Sequence, residues 1–268
     1  MERPKECPVC GSALEPAFSA TVLRRHCVTY LSCASCGLLK TESPFWLEEA
    51  YRTAIVPSDT GVTRRNLEYR RLLEPILYSF FGEEGTFLDV AGGYGLLARL
   101  LRDIGFDCYT TDKYCQNLFA KGFEPGGGFE ADALFAFEVL EHVEDPLRFL
   151  ADAFSMYRCR TLVFSTLTFE GAPPPADWWY YGFGHGQHVT FYQPGTLRAL
   201  ASKLGTTYVP MSGETHLFTD LPLSGWRKVF LRSAPIRQSC AALIRLWRRN
   251  LSKTWDDHLF ARDRLDPH

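Results

Sequence analysis

Cys7-Pro-Val-Cys10-Gly and Cys33-Ala-Ser-Cys36-Gly are two CxxC pairs, each closed by a glycine and separated by 22 residues. No other feature restricts the fold as much. Each pair is a tight turn whose glycine lets backbone amides point at the sulfurs, and two such knuckles supply four thiolates in a tetrahedron, the spacing of a zinc ribbon. A segment of about 40 residues cannot build an adequate core, so metal binding contributes much of its folding free energy. With four protein ligands at Cys7, Cys10, Cys33 and Cys36 the zinc is closed and structural. The nine cysteines are odd in number and no secretory signal precedes them, which argues against a disulfide framework. Cys27, Cys108, Cys115, Cys159 and Cys240 lack partner spacing and read as buried apolar thiols.

Hydrophobic residues make up 46% of the 268 and charged residues 22%, which excludes disorder, collagen and coiled coil. Lys plus Arg is 29 against 31 for Asp plus Glu, a net charge of -2. A chain that coats nucleic acid is usually more basic. With no signal peptide and no run of about 18 apolar residues, the chain reads as soluble and cytoplasmic.

Beyond the ribbon (1–40), residues 41–81 mix the aromatic anchors Phe45, Trp46 and Tyr51 with a helical pattern, Leu67, Leu72, Leu73, Ile76 and Leu77, interrupted at Pro75. They form a helical bridge or lid. From about residue 82 to 215, short apolar runs alternate with amphipathic helices, as a doubly wound α/β sheet requires. Thr86–Val90, Phe106–Thr111, Ala133–Phe137 and Thr161–Thr166 read as strands, with helices after Gly95, Asp145-Pro146 and Pro194.

Asp89 ends the first of these strands and Ala91-Gly-Gly-Tyr-Gly95 follows as a turn of small residues that can admit a nucleoside cofactor. Asp112 ends the next strand, where a carboxylate accepts hydrogen bonds from ribose hydroxyls. This pattern alone fits NAD as well as S-adenosylmethionine.

Phe87-Leu-Asp-Val-Ala-Gly-Gly-Tyr-Gly95 resembles the first motif of class I S-adenosylmethionine-dependent methyltransferases. Phe137-Glu-Val-Leu-Glu-His142-Val-Glu-Asp-Pro146 and Gln187-His-Val-Thr-Phe-Tyr-Gln-Pro194 resemble segments of its ubiquinone and sugar methyltransferase branch. The resemblance covers roughly residues 82–210 and implies a Rossmann-like class I methyltransferase fold, with the ribbon before it and a C-terminal helical insertion after it. It implies cofactor contacts at Asp89, Ala91, Gly92, Gly93, Gly95, Asp112 and Glu138, and a last strand at Asp257-His-Leu-Phe-Ala-Arg262 within the segment 216–268. The usual first glycine of the loop is Ala91, with Gly92 after it, a swap that can shift the turn. No residue between Asp112 and Asp132 is identifiable as an adenine contact.

Methyl transfer needs alignment and, for a hydroxyl or carbon acid, a base. The resemblance places His188 and His142 near the open edge of the sheet, His188 being the first candidate. Glu138, Glu141 and His142 stand at i, i+3, i+4, a spacing that serves either a divalent ion or local capping. Trp178-Trp-Tyr-Tyr181 and Phe183 either shape an apolar or sugar-stacking pocket or close the core.

Between Asp220 and Asp256 there is no acid, while Arg227, Lys228, Arg232, Arg237, Arg245, Arg248, Arg249 and Lys253 are interleaved with apolar residues. This segment, 227–253, can meet an anionic membrane or a protein partner, or pack on the core with a solvated basic face. The expected activity is methyl transfer to a small-molecule acceptor, a sugar, glycan precursor or secondary metabolite. The alternatives are a zinc-ribbon RNA methyltransferase and a non-catalytic cofactor-binding or assembly module.

Overall fold

The computed structural model describes residues 6–52, 59–247 and 252–264. Its N-terminal part contains β1 (Glu15–Val22), β2 (His26–Ser32), β3 (Leu39–Thr41) and the short helix α1 (Leu47–Ala50). Then come α2 (Val62–Phe81), β4 (Thr86–Val90), α3 (Leu96–Arg102), β5 (Asp107–Thr111), β6 (Ala133–Ala136), α4 (Pro146–Met156) and β7 (Leu162–Ser165). The remainder is β8 (Thr190–Phe191), α5 (Pro194–Lys203), β9 (Thr207–Pro210), β10 (Thr215–Thr219), α6 (Gly225–Arg232), α7 (Ala234–Trp247) and α8 (Thr254–Arg264).

Successive side chains of a strand point to opposite faces, and here both faces are apolar. Phe87, Phe135, Val163 and Leu217 point toward Leu73, Ile76 and Leu77 of α2, Leu97 and Leu101 of α3, and Phe230 of α6. Leu88, Leu134, Leu162 and Phe218 point the other way, toward Leu150 and Phe154 of α4 and Leu197 and Leu200 of α5. A sheet buried on both faces is the doubly wound α/β arrangement. Its order is β5-β4-β6-β7-β10-β9, parallel from β5 to β7, with β10 antiparallel to both of its neighbours.

The ribbon is fused to this core. Strands β1, β2 and β3 form a second sheet that is completed by β8, with Leu39 opposite Phe191 and Lys40 opposite Thr190. Cys7, Val9, Leu14, Leu31, Cys33, Cys36 and Leu38 belong to the same apolar cluster as Leu134 and Leu197. The Thr196 hydroxyl donates to the Cys36 carbonyl at 2.8 Å.

Three sequence expectations are corrected. Helix α2 runs through Pro75 without a break; burial of Leu73, Ile76 and Leu77 outweighs a cost of about 3 kcal/mol for proline inside a helix. Residues 257–262 lie in helix α8 and not in a strand; acids at its start and arginines at its end match the helix dipole. The antiparallel strand beside β7 is instead β10, whose Thr-His-Leu-Phe-Thr run is buried throughout. Cys27 is exposed, against the expectation of a buried thiol.

Helix α8 is held by a buried ion pair. Arg102 donates to both oxygens of Asp257, at 2.8 and 2.7 Å, and also meets Asp107 at 2.7 Å while lying over the Phe123 ring. Burial alone would raise the Asp257 carboxyl, but Arg102 and Arg99 overcome this and hold it below the usual range. Asp257→Ala leaves the Arg102 charge buried without its main partner, and a loss of about 3 kcal/mol is expected in urea denaturation. The contribution of Asp257 is present above the ordinary carboxylate pKa and is lost as pH falls through its lowered one.

Candidate functional site

The turn after β4 is drawn down onto the sheet. A Cβ at Gly92 would lie 2.3 Å from Asp89 Oδ2 and 2.5 Å from Thr110 Oγ1, so only glycine fits there. The left-handed position falls instead on Ala91, with φ of 56°, followed by Gly93 at 60° and Gly95 at 80°. The Ala-Gly order thus has a steric reason. At Gly93 a Cβ would meet nothing within 4 Å, leaving the outer side of the turn open to a ligand.

Asp89 lies beneath this turn, fully buried, and burial together with the Asp112 charge pushes its carboxyl up to about 8. Asp112 ties the turn to the next loop. Its Oδ2 accepts the Gly93 N–H at 2.9 Å, and its Oδ1 accepts the N–H groups of Tyr114 and Cys115 at 2.6 and 2.7 Å. With about two acceptor sites per oxygen, Oδ2 keeps one for a hydroxyl. The buried Thr110 Oγ1 has no hydrogen-bond partner among the described residues. A cradle that a Cβ would fill and an orphaned hydroxyl below it fit a nucleoside cofactor.

Glu138, at the end of β6, also has a left-handed backbone, φ 56°. Its Oε1 accepts from Ser165 Oγ at 2.6 Å and Tyr69 OH at 2.9 Å, with Arg65 Nε 3.8 Å from Oε2. Residues Leu140–His142 form a 3-10 turn, so the helical face imagined for Glu138, Glu141 and His142 does not form. Oxygen and nitrogen atoms of Glu141, His142 and His188 lie within 4.8 Å of one another, and Glu138 is outside that group.

His188 Nδ1 is 2.6 Å from the Tyr180 carbonyl. A carbonyl only accepts, so Nδ1 carries the proton and Nε2 the lone pair. Its ring centroid is 4.8 Å from those of both His142 and His185. Burial pushes His188 down to about 4 and His142 well below its ordinary value. Glu141, fully buried, is raised to about 8 by burial and by Glu138. Its Oε1 accepts from Tyr180 OH at 2.9 Å, while Oε2 has no partner among the described residues. Two neutral imidazoles beside a carboxyl can share a proton or hold a divalent cation.

Tyr51 closes the cluster from the bridge segment. Its hydroxyl is 2.9 Å from His142 Nδ1, and its ring stacks on Tyr114 at 4.5 Å, two residues beyond Asp112. Tyr51, His185 and Tyr180 carry no spacing signal that would assign them to the site. The aromatic run divides: Trp178 and Tyr181 pack between ribbon and core, Tyr180 faces Glu141, and Trp179 is exposed.

The cysteine knuckles have matching backbones. Cys7 N–H donates to Ser12 O and Gly11 N–H to Cys7 O, as Cys33 N–H does to Leu38 O and Gly37 N–H to Cys33 O. The sulfurs of Cys7 and Cys36 are 3.6 Å apart and those of Cys10 and Cys33 3.4 Å. Four sulfurs at about 2.3 Å from zinc stand roughly 3.8 Å from each other, so the cluster fits that ion.

A mostly parallel sheet with a glycine turn and a terminal carboxylate at its open edge fits a nucleoside cofactor, and the match to a known family decides which class of enzyme this is. Residues 63–210, more than half of the chain, match the family described as the methyltransferase domain, and the chain belongs to that family. It resembles magnesium protoporphyrin IX methyltransferase from Synechocystis PCC 6803 with bound SAH, at 16% identity over 64% of this chain and 90% of that one, TM-score 0.42. It also resembles CalO1, a methyltransferase in calicheamicin biosynthesis, at 14% identity over 67% and 69% of the chains, TM-score 0.40. The mitomycin 7-O-methyltransferase MmcR is a third, at 16% identity over 64% and 65%, TM-score 0.38. No curated protein matches the chain.

The turn yields a paired test. Ala91→Gly relieves a left-handed alanine and is expected to raise stability by about 1 kcal/mol without weakening S-adenosylhomocysteine binding. Gly92→Ala drives a methyl into Asp89 and is expected to weaken that binding at least tenfold in calorimetric titration.

Proposed function

We propose that the protein transfers the methyl group of S-adenosylmethionine to a hydroxyl of a small-molecule acceptor, a sugar, glycan precursor or secondary metabolite, with His188 as general base. The observation that carries this reading is the orientation of His188, whose Nδ1 is committed to the Tyr180 carbonyl. The cofactor supplies a methyl on a sulfonium, which leaves as a neutral thioether. Ala91, Gly92, Gly93 and Gly95 shape its cradle, Asp112 takes a ribose hydroxyl, Asp89 supports the turn from below, and Glu138 borders the site. His188 Nε2 accepts the acceptor's proton as the new C–O bond forms. His142, held by Tyr51, lines the same space and is the second candidate.

An RNA acceptor would call for a basic surface running from the ribbon to the cleft. Among the described ribbon residues the Lys and Arg side chains are Arg24, Arg25 and Lys40, and the last two are paired with Glu49 and Glu144. Zinc at Cys7, Cys10, Cys33 and Cys36 has a structural role. In a metal-free cluster the Cys7 and Cys36 sulfurs share a proton across 3.6 Å; zinc would replace it by four thiolate bonds. Among the described residues no helix is long and apolar enough to cross a membrane.

His188→Asn is expected to lower kcat by about 10²- to 10⁴-fold while leaving S-adenosylhomocysteine affinity unchanged. Equal losses in both would assign His188 to cofactor binding or folding instead. Because burial holds His188 near 4, it is neutral at every pH above about 5, and kcat should show no limb near pH 6.5. Metal analysis is expected to find one zinc per chain. Since the ribbon shares the main core, its removal by a chelator should lower the melting temperature of the whole chain in a single transition.

A further inference from the structure

The acid-free segment after Asp220 is divided by the structure into cations that are consumed inside the fold and cations that are not. Arg237 is buried and donates to the carbonyls of Phe230 and Leu231 and to Ser212 Oγ. Arg245 reaches back to Glu74 of α2 at 2.6 Å, and Arg227 lies over the Phe80 ring while donating to the Pro222 carbonyl. Lys228 and Arg232 remain exposed, with no acidic partner among the described residues. Arg248 and Arg249, and the side chain of Trp247, lie outside the described residues.

Helix α7 exposes leucines as well as burying an apolar face. Arg237, Cys240, Ala241 and Ile244 face the protein. The exposed positions are Pro235, Gln238, Ser239, Ala242, Leu243, Arg245 and Leu246, and the charge among them, Arg245, is paired with Glu74. Leu243 is 59% exposed and Leu246 80%; on α6, Trp226 is 60% and Val229 50% exposed. A helix facing water normally carries its charges outward and its leucines inward. The expected solvated cations are present at Lys228, Arg232 and Arg245, and exposed apolar side chains, which the expectation did not include, lie among them.

Apolar side chains outward with cations at their margin are what an interfacial helix presents to lipid, the leucines and tryptophan entering the acyl boundary and the cations meeting phosphates. We propose that the α6–α7 face docks the enzyme on a membrane surface carrying anionic lipid. Charge complementarity selects this occupant. No acid occurs from residue 221 to 255, so nothing on the segment repels an anionic surface. A second copy packed face to face through this surface would gather Lys228 and Arg232 of both copies into one interface with no acid from the segment to pair them. Nucleic acid would be met through phosphates and stacking, a poor use for aliphatic Leu243 and Leu246.

Co-sedimentation of the full chain with vesicles tests this. Wild type is expected to bind phosphatidylcholine vesicles that contain about one-third phosphatidylglycerol, to lose that binding at high salt, and to leave pure phosphatidylcholine nearly untouched. Leu243→Asp with Leu246→Asp should weaken the binding by roughly tenfold or more. Lys228→Glu with Arg232→Glu should weaken it comparably. All four positions are exposed and, among the described residues, none has a contact with the cofactor turn, so both double variants should keep wild-type S-adenosylhomocysteine affinity and near-ultraviolet circular dichroism. Absence of binding to anionic vesicles, equal binding to neutral ones, or binding that survives the leucine changes would overturn the proposal. So would a wild-type dimer that the leucine changes dissociate without any vesicle binding, which would assign the face to a second copy.

Discussion

The joint between the cysteine knuckles and the sheet holds the rest of the site in place. Strand β3 pairs with β8, and just before that pairing Thr41 N–H donates to the Val189 carbonyl. Val189 N–H in turn donates to the Glu141 carbonyl, Thr190 Oγ1 to Val143 O and Tyr192 OH to Leu140 O. The segment bearing His188 is thus clamped between a ribbon strand and the turn bearing Glu141 and His142. A ribbon that merely preceded the core would impose no such constraint. Here it is one wall of the scaffold around Glu141, His142 and His188, and the Cys36 carbonyl accepting from Thr196 carries the contact into helix α5.

The same burial that gives rigidity sets the charge of the site. Asp89 and Glu141 are pushed up to about 8 by desolvation and by neighbouring acids, so both are largely neutral at physiological pH. His188 and His142 are pushed down and are neutral too. These four groups therefore add little net charge beside Asp112 and Glu138, at a low-dielectric edge where any retained charge has a large effect. The buried acids and histidines also oppose each other in stability: the acids lose theirs as pH rises from about 4 toward 8, the histidines as it falls from 6.5 toward 4.

The strands were readable because each is a short apolar run bounded by turn residues, and Thr86–Val90 has the same bounds in sequence and structure. The cofactor turn was readable because glycine, small volume and a terminal carboxylate are local requirements. The last strand was misplaced because Asp257-His-Leu-Phe-Ala-Arg262 alternates too weakly to distinguish strand from helix; Arg102, 155 residues earlier, anchors it as a helix. Glu138 was misgrouped because a left-handed φ breaks the helical spacing that sequence counting assumes.

The sequence by itself determined the four-cysteine cluster, the strands β4 to β7 with the helices after Gly95, Asp145-Pro146 and Pro194, and the small-residue turn after β4, since these rest on spacing and on steric demands within a few residues. Only the tertiary structure decided which nitrogen of His188 meets the Tyr180 carbonyl, that Tyr51 reaches His142, and that Arg237 is buried while Leu243 and Leu246 are exposed. Those outcomes depend on contacts between residues far apart in the chain, and on burial, neither of which local pattern records.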